Sequence, residues 1–396
     1  MPTWQLTDST RRSLLDFTRR LVQTPSPSGQ EADVAALVMD EMRRLGYDHV
    51  SMDSTGNVLG CVGDGTGPIV MLNSHMDTVE AAEPAAWRFD PLGATVRDGR
   101  LYGLGACDMK AGLAACVYGA ALLAADSRRP SGTILVACVG LEEPSEGTCT
   151  RTLFESSDLC PDWVVIAEPS NLDVVRAQRG HLEMRLTVHG ASAHSSTPEL
   201  GDNAIYAASR VIFGLEILAD QLMVDPFLGP GVMAVTDIAS HAVSRNAVPD
   251  RCELFLDRRL TVGETEAAAL LEVQRIIARE GVRAQVAVVE DVVTTHTGVR
   301  LNARRASLPW VLDERHPLVQ QMVQSARSIG LRPAVTRWPF ATEGAFTAAV
   351  AGVPTVGFGP GDPEQLHRPN ESVEVAQIYD AALAYAALAH VLVGAS

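Results

Sequence analysis

Residues 133–143 read Thr-Ile-Leu-Val-Ala-Cys-Val-Gly-Leu-Glu-Glu, an apolar run that ends in two adjacent acids. A short apolar run of this kind predicts a buried β-strand, here Thr133–Val139. Similar runs alternate along the chain with helical segments, such as the Ala-rich stretch that ends near Ala125. Strands that alternate with helices predict an α/β fold with a mainly parallel sheet. In such sheets, functional side chains collect outside the carboxyl ends of the strands.

Several other polar residues follow predicted strands or lie in turns and loops. They are His75 and Asp77 after the strand Ile69–Leu72, Asp108 in a Gly-rich turn, Glu168 after the strand Trp163–Ala167, and His367 in a polar loop before the last helix. Together with Glu142 and Glu143 they supply two imidazoles and several carboxylates, with no cysteine among them. This ligand set suits a hydrolytic centre with two metal ions.

Taken one at a time, these residues also have plainer interpretations. A loop histidine, a solvated or helix-capping aspartate and surface glutamates are common in proteins that bind no metal. The pair Glu142-Glu143 is the sharpest local feature, because adjacent acids at the end of a buried strand are costly unless a positive charge lies nearby. One of the two could bind a metal ion while its neighbour takes a proton from a bound water.

The pattern changes near Gly180, which predicts an inserted domain. Between Leu182 and Val188, apolar residues alternate with mostly polar ones, as in a half-exposed strand. A helix, two strands, a helix and a strand follow, and this β-α-β-β-α-β order is the ferredoxin-like arrangement. We therefore predict a catalytic domain of residues 1–180 and 297–396, with residues 181–296 inserted as a lid. The exposed edge of its sheet could pair with a second copy, which predicts a homodimer.

Composition and charge argue against several classes of partner. The formal net charge is −16, and no basic stripe is present, so neither nucleic acid nor an anionic membrane is expected to bind. No stretch approaches the roughly 20 uninterrupted apolar residues of a membrane-spanning helix. The N-terminus lacks the pattern of a secretory signal, and the seven cysteines are scattered. Reduced thiols and a cytoplasmic location are the expectation.

Two glycine-rich segments need separate interpretations. Residues 63–68, Gly-Asp-Gly-Thr-Gly-Pro, lack the Lys-Ser/Thr of a phosphate-binding loop, so we expect a hairpin turn between the strands on either side. Residues 103–112 faintly resemble a dinucleotide-binding fingerprint. Their spacing differs from that fingerprint and no clear strand directly precedes them, so NAD is not expected as a cofactor.

In order and spacing, the motifs resemble one family: the acetylornithine deacetylase, succinyl-diaminopimelate desuccinylase and carboxypeptidase-G group of co-catalytic zinc metallopeptidases and aminoacylases. The resemblance covers nearly the whole chain. It implies that His75, Asp108 and Glu168 hold one zinc ion, that Asp108, Glu143 and His367 hold the other, that Glu142 is the general base, and that Asp77 supports His75. Mn²⁺ or Co²⁺ in place of zinc stays open.

The inserted domain and a late loop carry further parts of the resemblance. Residues 190–195 look like the lid segment of the family, whose histidine, here His194, reaches into the active site of the partner subunit to stabilise the oxyanion. Asn246 and Arg259 resemble positions that contact the substrate carboxylate, and a guanidinium suits that task. Gly344 lies in Thr342–Ala345, which resembles the substrate-side loop of the deacetylase branch.

The family resemblance implies a reaction but leaves the substrate open. We expect metal-dependent hydrolysis of the amide bond of an N-acyl amino acid or a related small molecule that bears a carboxylate. Within hydrolases, a dipeptidase or carboxypeptidase is the alternative. From a different class, a non-catalytic metal-binding protein is the remaining one, although an intact Glu142 argues against it.

Overall fold

The strand that precedes Glu142 lies inside a nine-stranded sheet in the computed structural model, which describes residues 4–63, 65, 67–81, 84–125, 131–156 and 159–394. The elements up to residue 178 are α1 (Asp8–Gln23), α2 (Ala32–Arg44), β1 (His49–Met52), β2 (Val58–Gly63), β3 (Ile69–His75), β4 (Thr95–Arg97), β5 (Arg100–Tyr102), α3 (Ala111–Ala124), β6 (Thr133–Val139), α4 (Thr148–Ser156), β7 (Trp163–Ile166) and β8 (Val174–Gln178).

The rest of the chain first forms the inserted domain and then returns to this sheet. The elements of the insertion are β9 (Gly180–His189), α5 (Ala204–Ala219), β10 (Val224–Asp225), β11 (Gly229–Pro230), β12 (Val232–His241), β13 (Arg251–Leu260), α6 (Glu266–Arg279), β14 (Ala284–Val288), β15 (Glu290–Thr294) and β16 (Arg300–Arg304). β17 (Ala306–Ser307) still pairs with β9 of the insertion. The elements that return to the catalytic domain are β18 (Trp310–Val311), α7 (Pro317–Ser328), β19 (Val335–Trp338), α8 (Gly344–Thr347), β20 (Thr355–Gly357), β21 (Ser372–Glu374) and α9 (Val375–Leu392).

The large sheet has a parallel centre and antiparallel flanks. Its order is β1-β2-β6-β3-β7-β20-β8-β18, with β19 also paired to β8. The four central strands β6, β3, β7 and β20 are parallel to one another, whereas β2 and β8 run antiparallel to their central neighbours. Because the centre is parallel, the carboxyl ends of its strands meet at one edge.

Both faces of this sheet are covered, as a parallel centre requires. Val70 and Leu72 of β3 point into a core shared with α1, α2, α3, α7 and α9, whereas Met71 between them points to a second core on the side of α4. This alternation follows from the two-residue repeat of a strand. Two described helical stretches, Ala106–Ala124 and Val375–Leu392, are long and apolar enough to span a membrane by length and composition, but 94% and 56% of them are buried. They pack against each other in the first core.

The inserted domain has the predicted ferredoxin-like order. Its sheet runs β12-β13-β9-β14 with every neighbouring pair antiparallel, and α5 and α6 cover one face. Among the described strands, β12 pairs only with β13, so its other side is a free edge. The prediction of an α/β catalytic domain with an inserted α+β domain is therefore confirmed.

The two predicted domain boundaries lie close to features of the chain path. Gly180 is the first residue of β9, and residue 297 lies in the turn of the hairpin β15–β16. That turn contacts the catalytic domain, since Thr297 donates a hydrogen bond to the carbonyl of Ser54 at 2.8 Å. Val293 and Leu301 of the hairpin pack against Val139 and Leu141, so the insertion supports the segment that leads to Glu142.

One local expectation is wrong. The strands on either side of residues 63–68 do not form a hairpin, because β6 lies between β2 and β3 and pairs with both. The glycines signal that the chain turns, but the strand that inserts at this place comes from about 70 residues later in the chain. Asp64 and Thr66 themselves lie outside the described residues.

Candidate active site

Strand register brings the predicted site residues to one edge of the sheet. His75 ends β3 and lies opposite Val139, the last residue of β6, while Asn73 lies opposite Ile166, the last residue of β7. The short segments after these three parallel strands carry Asp77, Glu142, Glu143 and Glu168. These side chains therefore meet although they are dozens of residues apart in sequence.

Asp108 lies between the two histidines. His75 Nε2 is 3.1 Å from Asp108 Oδ1 and 3.4 Å from Glu168 Oε1. On the other side, His367 Nε2 is 3.3 Å from Asp108 Oδ2 and 3.0 Å from Glu143 Oε2. Each carboxylate oxygen of Asp108 thus faces a different histidine, so Asp108 could serve as a ligand to each of two metal ions.

The backbone around Asp108 is held by a glutamate that the sequence analysis did not single out. Glu371 is buried and accepts hydrogen bonds from the backbone N–H groups of Cys107 and Asp108 at 2.7 and 2.8 Å, and of Gly105 at 3.3 Å. Gly105 adopts a positive φ of 75° in this irregular turn, and the peptide bond between Asp108 and Met109 is cis. Glu371 therefore fixes the position from which Asp108 projects.

The segment 140–143 is clamped by three buried side chains. Asn57 accepts from the N–H of Gly140, Glu31 accepts from that of Leu141, and Asp77 accepts from those of Glu142 and Glu143 at 3.1 and 3.2 Å. Ser28 donates to the same Asp77 carboxylate. The His75 Nδ1 lies 2.9 Å from the backbone carbonyl of Asp77 and 3.6 Å from its carboxylate. The carbonyl supports His75, and the carboxylate mainly orients Glu142 and Glu143.

Charge crowding shifts the pKa values of the site. Burial raises the pKa of Glu142 well above its usual range and that of Glu143 to about 7, with further raising by neighbouring acids. Burial also works against the ionised form of Asp108, but His367 and His75 outweigh it and lower that pKa to about 2. Hydrogen bonds with Asp108 and Glu143 raise the pKa of His367 to about 10.

These residues fit a pair of divalent cations. Ligand atoms of His75, Asp108 and Glu143 lie within 4.8 Å of one another, as do those of His75, Glu142 and Glu168. Glu143 Oε1 is buried with no hydrogen-bond partner among the described residues, so it can act as a ligand without breaking a contact. In the metal-free chain, protonation of the two histidines offsets the negative charge of the carboxylates. Bound cations would supply that positive charge instead.

The centre opens into a cleft that lies between the two domains. The cavity has a volume of about 340 Å³ and is lined by four of the predicted ligands, Asp108, Glu143, Glu168 and His367, and by Glu142, Glu146, His181, Arg259, Phe340, Ala341 and Leu366. Of these, only Glu142 and Arg259 were singled out from sequence. Glu146 follows the acid pair by three residues, and His181 is the first residue of the insertion, so both lie beside segments that the sequence analysis discussed. Only the tertiary structure shows that both side chains line the cleft.

His181 lies in a strongly acidic setting. Its Nδ1 is 3.1 Å from Glu146, and its Nε2 is 3.3 Å from Asp257 and 3.5 Å from Glu183. Burial by itself lowers the pKa of His181, but the close carboxylates of Asp257 and Glu146 outweigh burial and raise that pKa to about 9. The imidazole is therefore a cation at neutral pH.

The other predicted substrate residues lie in different places. Arg259 lines the cavity and is bound by Asp257 through two hydrogen bonds of 2.8 and 2.9 Å. His194 and Asn246 are exposed, are neighbours on the inserted domain, and are not among the residues that line the described cavity. Gly344 is buried at the start of α8, where a Cβ would collide with Trp310. The structure thus leaves His194 and Asn246 outside the cleft of their own chain.

Comparison with known proteins identifies the family. A model of the peptidase family M20/M25/M40 matches residues 71–391. The chain belongs to this family. The predicted family is therefore confirmed, and with it the metal-dependent hydrolysis of amide bonds.

Individual proteins are similar to this chain over nearly its whole length. The uncharacterized protein YgeY of Escherichia coli K12 is 35% identical over 373 residues, covering 94% of this chain and 92% of that protein. The succinyl-diaminopimelate desuccinylase of Corynebacterium glutamicum is 28% identical over 383 residues, covering 92% and 93%. The crystal structure of Bacillus subtilis YXEP, a dinuclear metal binding peptidase of the M20 family, has a TM-score of 0.72 at 17% identity, covering 98% of this chain and 99% of that one.

Metal binding by this M20 chain should strengthen as the pH rises. The neighbouring carboxylates raise the pKa of His75 well above its usual range and that of His367 to about 10, so protons compete with metal ions for both rings. A metal ion binds only the unprotonated nitrogen, so binding must release protons. We expect the apparent Kd for Zn²⁺ to fall about tenfold or more per pH unit between pH 6 and 8. Competition with a chelator of known pH dependence measures this, and a Kd that does not change with pH would contradict it.

Proposed function

We propose that the chain is a dinuclear zinc hydrolase that removes the acyl group from an N-acyl amino acid or a related small molecule bearing a carboxylate. The observation that carries the proposal is the placement of Asp108 between His75 and His367, with Glu142 buried beside them. The small volume of the cleft and the guanidinium of Arg259 in its wall support a small substrate with a carboxylate. The desuccinylase relative, by its name, removes a succinyl group from succinyl-diaminopimelate, which supports a deacylase.

Each site residue has a defined task in this reaction. His75, Asp108 and Glu168 would hold one metal ion, and Asp108, Glu143 and His367 the other. When bound, the two ions supply the positive charge that acidifies a water molecule and polarises the amide carbonyl.

Glu142 performs the proton transfers. Its carboxylate accepts a proton from the attacking water and donates it to the leaving amine nitrogen. Burial among other acids raises its pKa, which favours a group that gains a proton in one step and returns it in the next. Asp77 holds the backbone from which Glu142 projects, and Arg259 binds the substrate carboxylate.

A substrate panel tests the proposed function. The zinc-loaded chain is assayed with N-acetyl, N-succinyl and N-carbamoyl amino acids and with dipeptides, and parallel samples are loaded with Mn²⁺ or Co²⁺. We expect the highest kcat/KM for an N-acyl amino acid. A clear preference for dipeptides would establish the peptidase alternative, and no turnover of any amide with any of the three metals would overturn the proposal.

We also infer that the chain acts as a homodimer formed through the inserted domain. Tyr206, Phe213 and Ile217 on α5 are 69%, 65% and 54% exposed and lie along one side of that helix. The free edge of β12 belongs to the same domain. An exposed apolar stripe and an unpaired strand edge are features that a second copy would cover. The dimer would place exposed His194 of one protomer at the active site of its partner, where the imidazole can stabilise the oxyanion.

The seven cysteines, all free thiols, support a cytoplasmic location.

Hybrid dimers test the contribution of His194 across the dimer. His194→Ala and Glu142→Ala should each be nearly inactive, but in a mixed dimer one active site keeps both Glu142 and the partner's His194. Mixing the two variants after mild dissociation should therefore restore up to about a quarter of the activity of the unaltered protein, if subunits exchange at random and each His194 serves the opposite site. Activity is measured against mixing ratio. A flat response in samples shown by mass spectrometry to contain hybrids would rule out the shared site.

A further inference from the structure

Four side chains of alternating charge are connected in series where the inserted domain joins the catalytic domain. Glu146 is 3.1 Å from His181, His181 is 3.3 Å from Asp257, and Asp257 accepts two hydrogen bonds from Arg259. Glu146, His181 and Arg259 line the cavity of the cleft. The series therefore links the segment that carries Glu142 and Glu143 to the guanidinium in the opposite domain.

Within the described residues, only some of the N–H donors of the Arg259 guanidinium have a hydrogen-bond partner. Asp257 accepts from its Nε and Nη2, and within the described residues the Arg259 side chain has no other hydrogen-bond partner. The side chain is 28% exposed and lies in the wall of the cleft. A guanidinium has five N–H donors in a fixed plane, so the remaining ones can bind a second carboxylate while Asp257 keeps its own two.

His181 lies where its positive charge can weaken the attraction between Asp257 and Arg259. Its Nε2 is nearest to Oδ2 of Asp257, which is the same oxygen that accepts from Nη2 of Arg259. The positive imidazole offsets the charge of Asp257. Without it, Asp257 would draw Arg259 inward and would repel an incoming carboxylate. Glu146 holds the imidazole from the other side, and its own side chain is only 16% exposed.

We propose that His181, held in place by Glu146, is a positioning residue for substrate recognition: it acts through Asp257 to keep the free edge of Arg259 available to a carboxylate of the substrate. The inference rests on the proposed function and narrows it, because it requires that the amino-acid half of the substrate keep a free carboxylate. Amides in which that carboxylate is blocked are then poor substrates.

Two small probes that cannot be hydrolysed test this. N-methanesulfonylglycine and its carboxamide differ only in the carboxylate, and a sulfonyl group replaces the scissile carbonyl in both. Their Kd values for the zinc-loaded chain are measured by calorimetry. We expect the carboxylate probe to bind about tenfold or more tightly than the carboxamide, the difference typical of a charge-assisted pair.

Variants separate positioning from general loss of structure. His181→Gln should remove most of the preference for the carboxylate probe and leave the Kd of the carboxamide within about twofold. Glu146→Gln should act in the same direction. Arg259→Gln should abolish the preference, and adding His181→Gln to it should change nothing more, because His181 acts through Arg259. Glu253→Gln, on the same strand but paired with Arg251, is the matched control and should behave like the unaltered chain.

Several outcomes would overturn the inference. They are equal or unmeasurable binding of both probes by the unaltered chain, a parallel loss for both probes in His181→Gln, or an additional effect of His181→Gln in the Arg259→Gln background. Because the probes are not hydrolysed, this result does not depend on turnover. A chain that prefers the carboxylate probe but hydrolyses no amide would refute the proposed function alone.

Discussion

Replacement of Glu142 by glutamine is expected to lower kcat by about 10²- to 10⁴-fold while both metal ions remain bound. Glutamine keeps the size of the side chain but cannot accept a proton from the attacking water or return one to the leaving amine. The backbone N–H of residue 142 can still donate to Asp77, so the segment should keep its position. Steady-state kinetics on the best substrate of the panel give kcat and KM, and elemental analysis gives the metal content.

The control for this variant is Glu155→Gln, an exposed acid on α4 that follows Glu142 by 13 residues. It should leave kcat unchanged. If Glu142→Gln retained two metal ions and turned over at the normal rate, Glu142 would not be the general base. If instead it lost metal, its carboxylate would be a ligand, which its distance to His75 and Glu168 in the metal-free chain allows.

Asp108→Asn should lower the metal content from two ions per chain to one at most and lower activity by about 10³-fold or more. In the structure each carboxylate oxygen of Asp108 faces one histidine. An amide has a single oxygen, and its NH₂ group cannot serve as a ligand, so residue 108 would offer a ligand atom to only one of the two ions. Metal content is measured after dialysis against buffer with trace zinc, together with kcat/KM.

The matched control is Asp98→Asn, an exposed residue at the turn between β4 and β5 with a positive φ of 50°, a backbone conformation that asparagine adopts readily. It should keep two metal ions and full activity. Retention of two ions by Asp108→Asn would show that Asp108 does not bridge them.

Much of the fold was predictable because its strands and helices have local signatures. The apolar run 133–139 forms β6 with the predicted bounds, and the alternating pattern after Gly180 forms β9. The hairpin expected at residues 63–68 failed for a physical reason. A glycine-rich turn determines that the chain reverses, but the partner of each strand is determined by hydrophobic burial across the whole sheet. Here β6 pairs with β2 along one edge and with β3 along the other, and its two faces are buried in the cores on either side of the sheet.

The site residues, like the strands, were predictable where a local motif marks them and not where their role depends on distant segments. The predicted metal ligands do converge, since each follows a strand of the parallel centre or lies in a turn beside its carboxyl edge. Glu371, Glu31 and His181 could not be assigned from the sequence. Their roles depend on hydrogen bonds to partners such as the N–H of Asp108, which is 263 residues from Glu371. No local spacing encodes such a pair.

The sequence by itself determined the family, the order of the two domains and the identity of the residues that can hold two metal ions, because these are carried by residue types, short motifs and strand periodicity. The tertiary structure alone decided which oxygen of Asp108 faces which histidine, that the Asp77 carboxylate holds the backbone of Glu142 and Glu143, and that Glu146, His181, Asp257 and Arg259 form one series across the cleft. These relations depend on distances of a few ångströms between segments far apart in the chain, and packing of the two domains sets those distances.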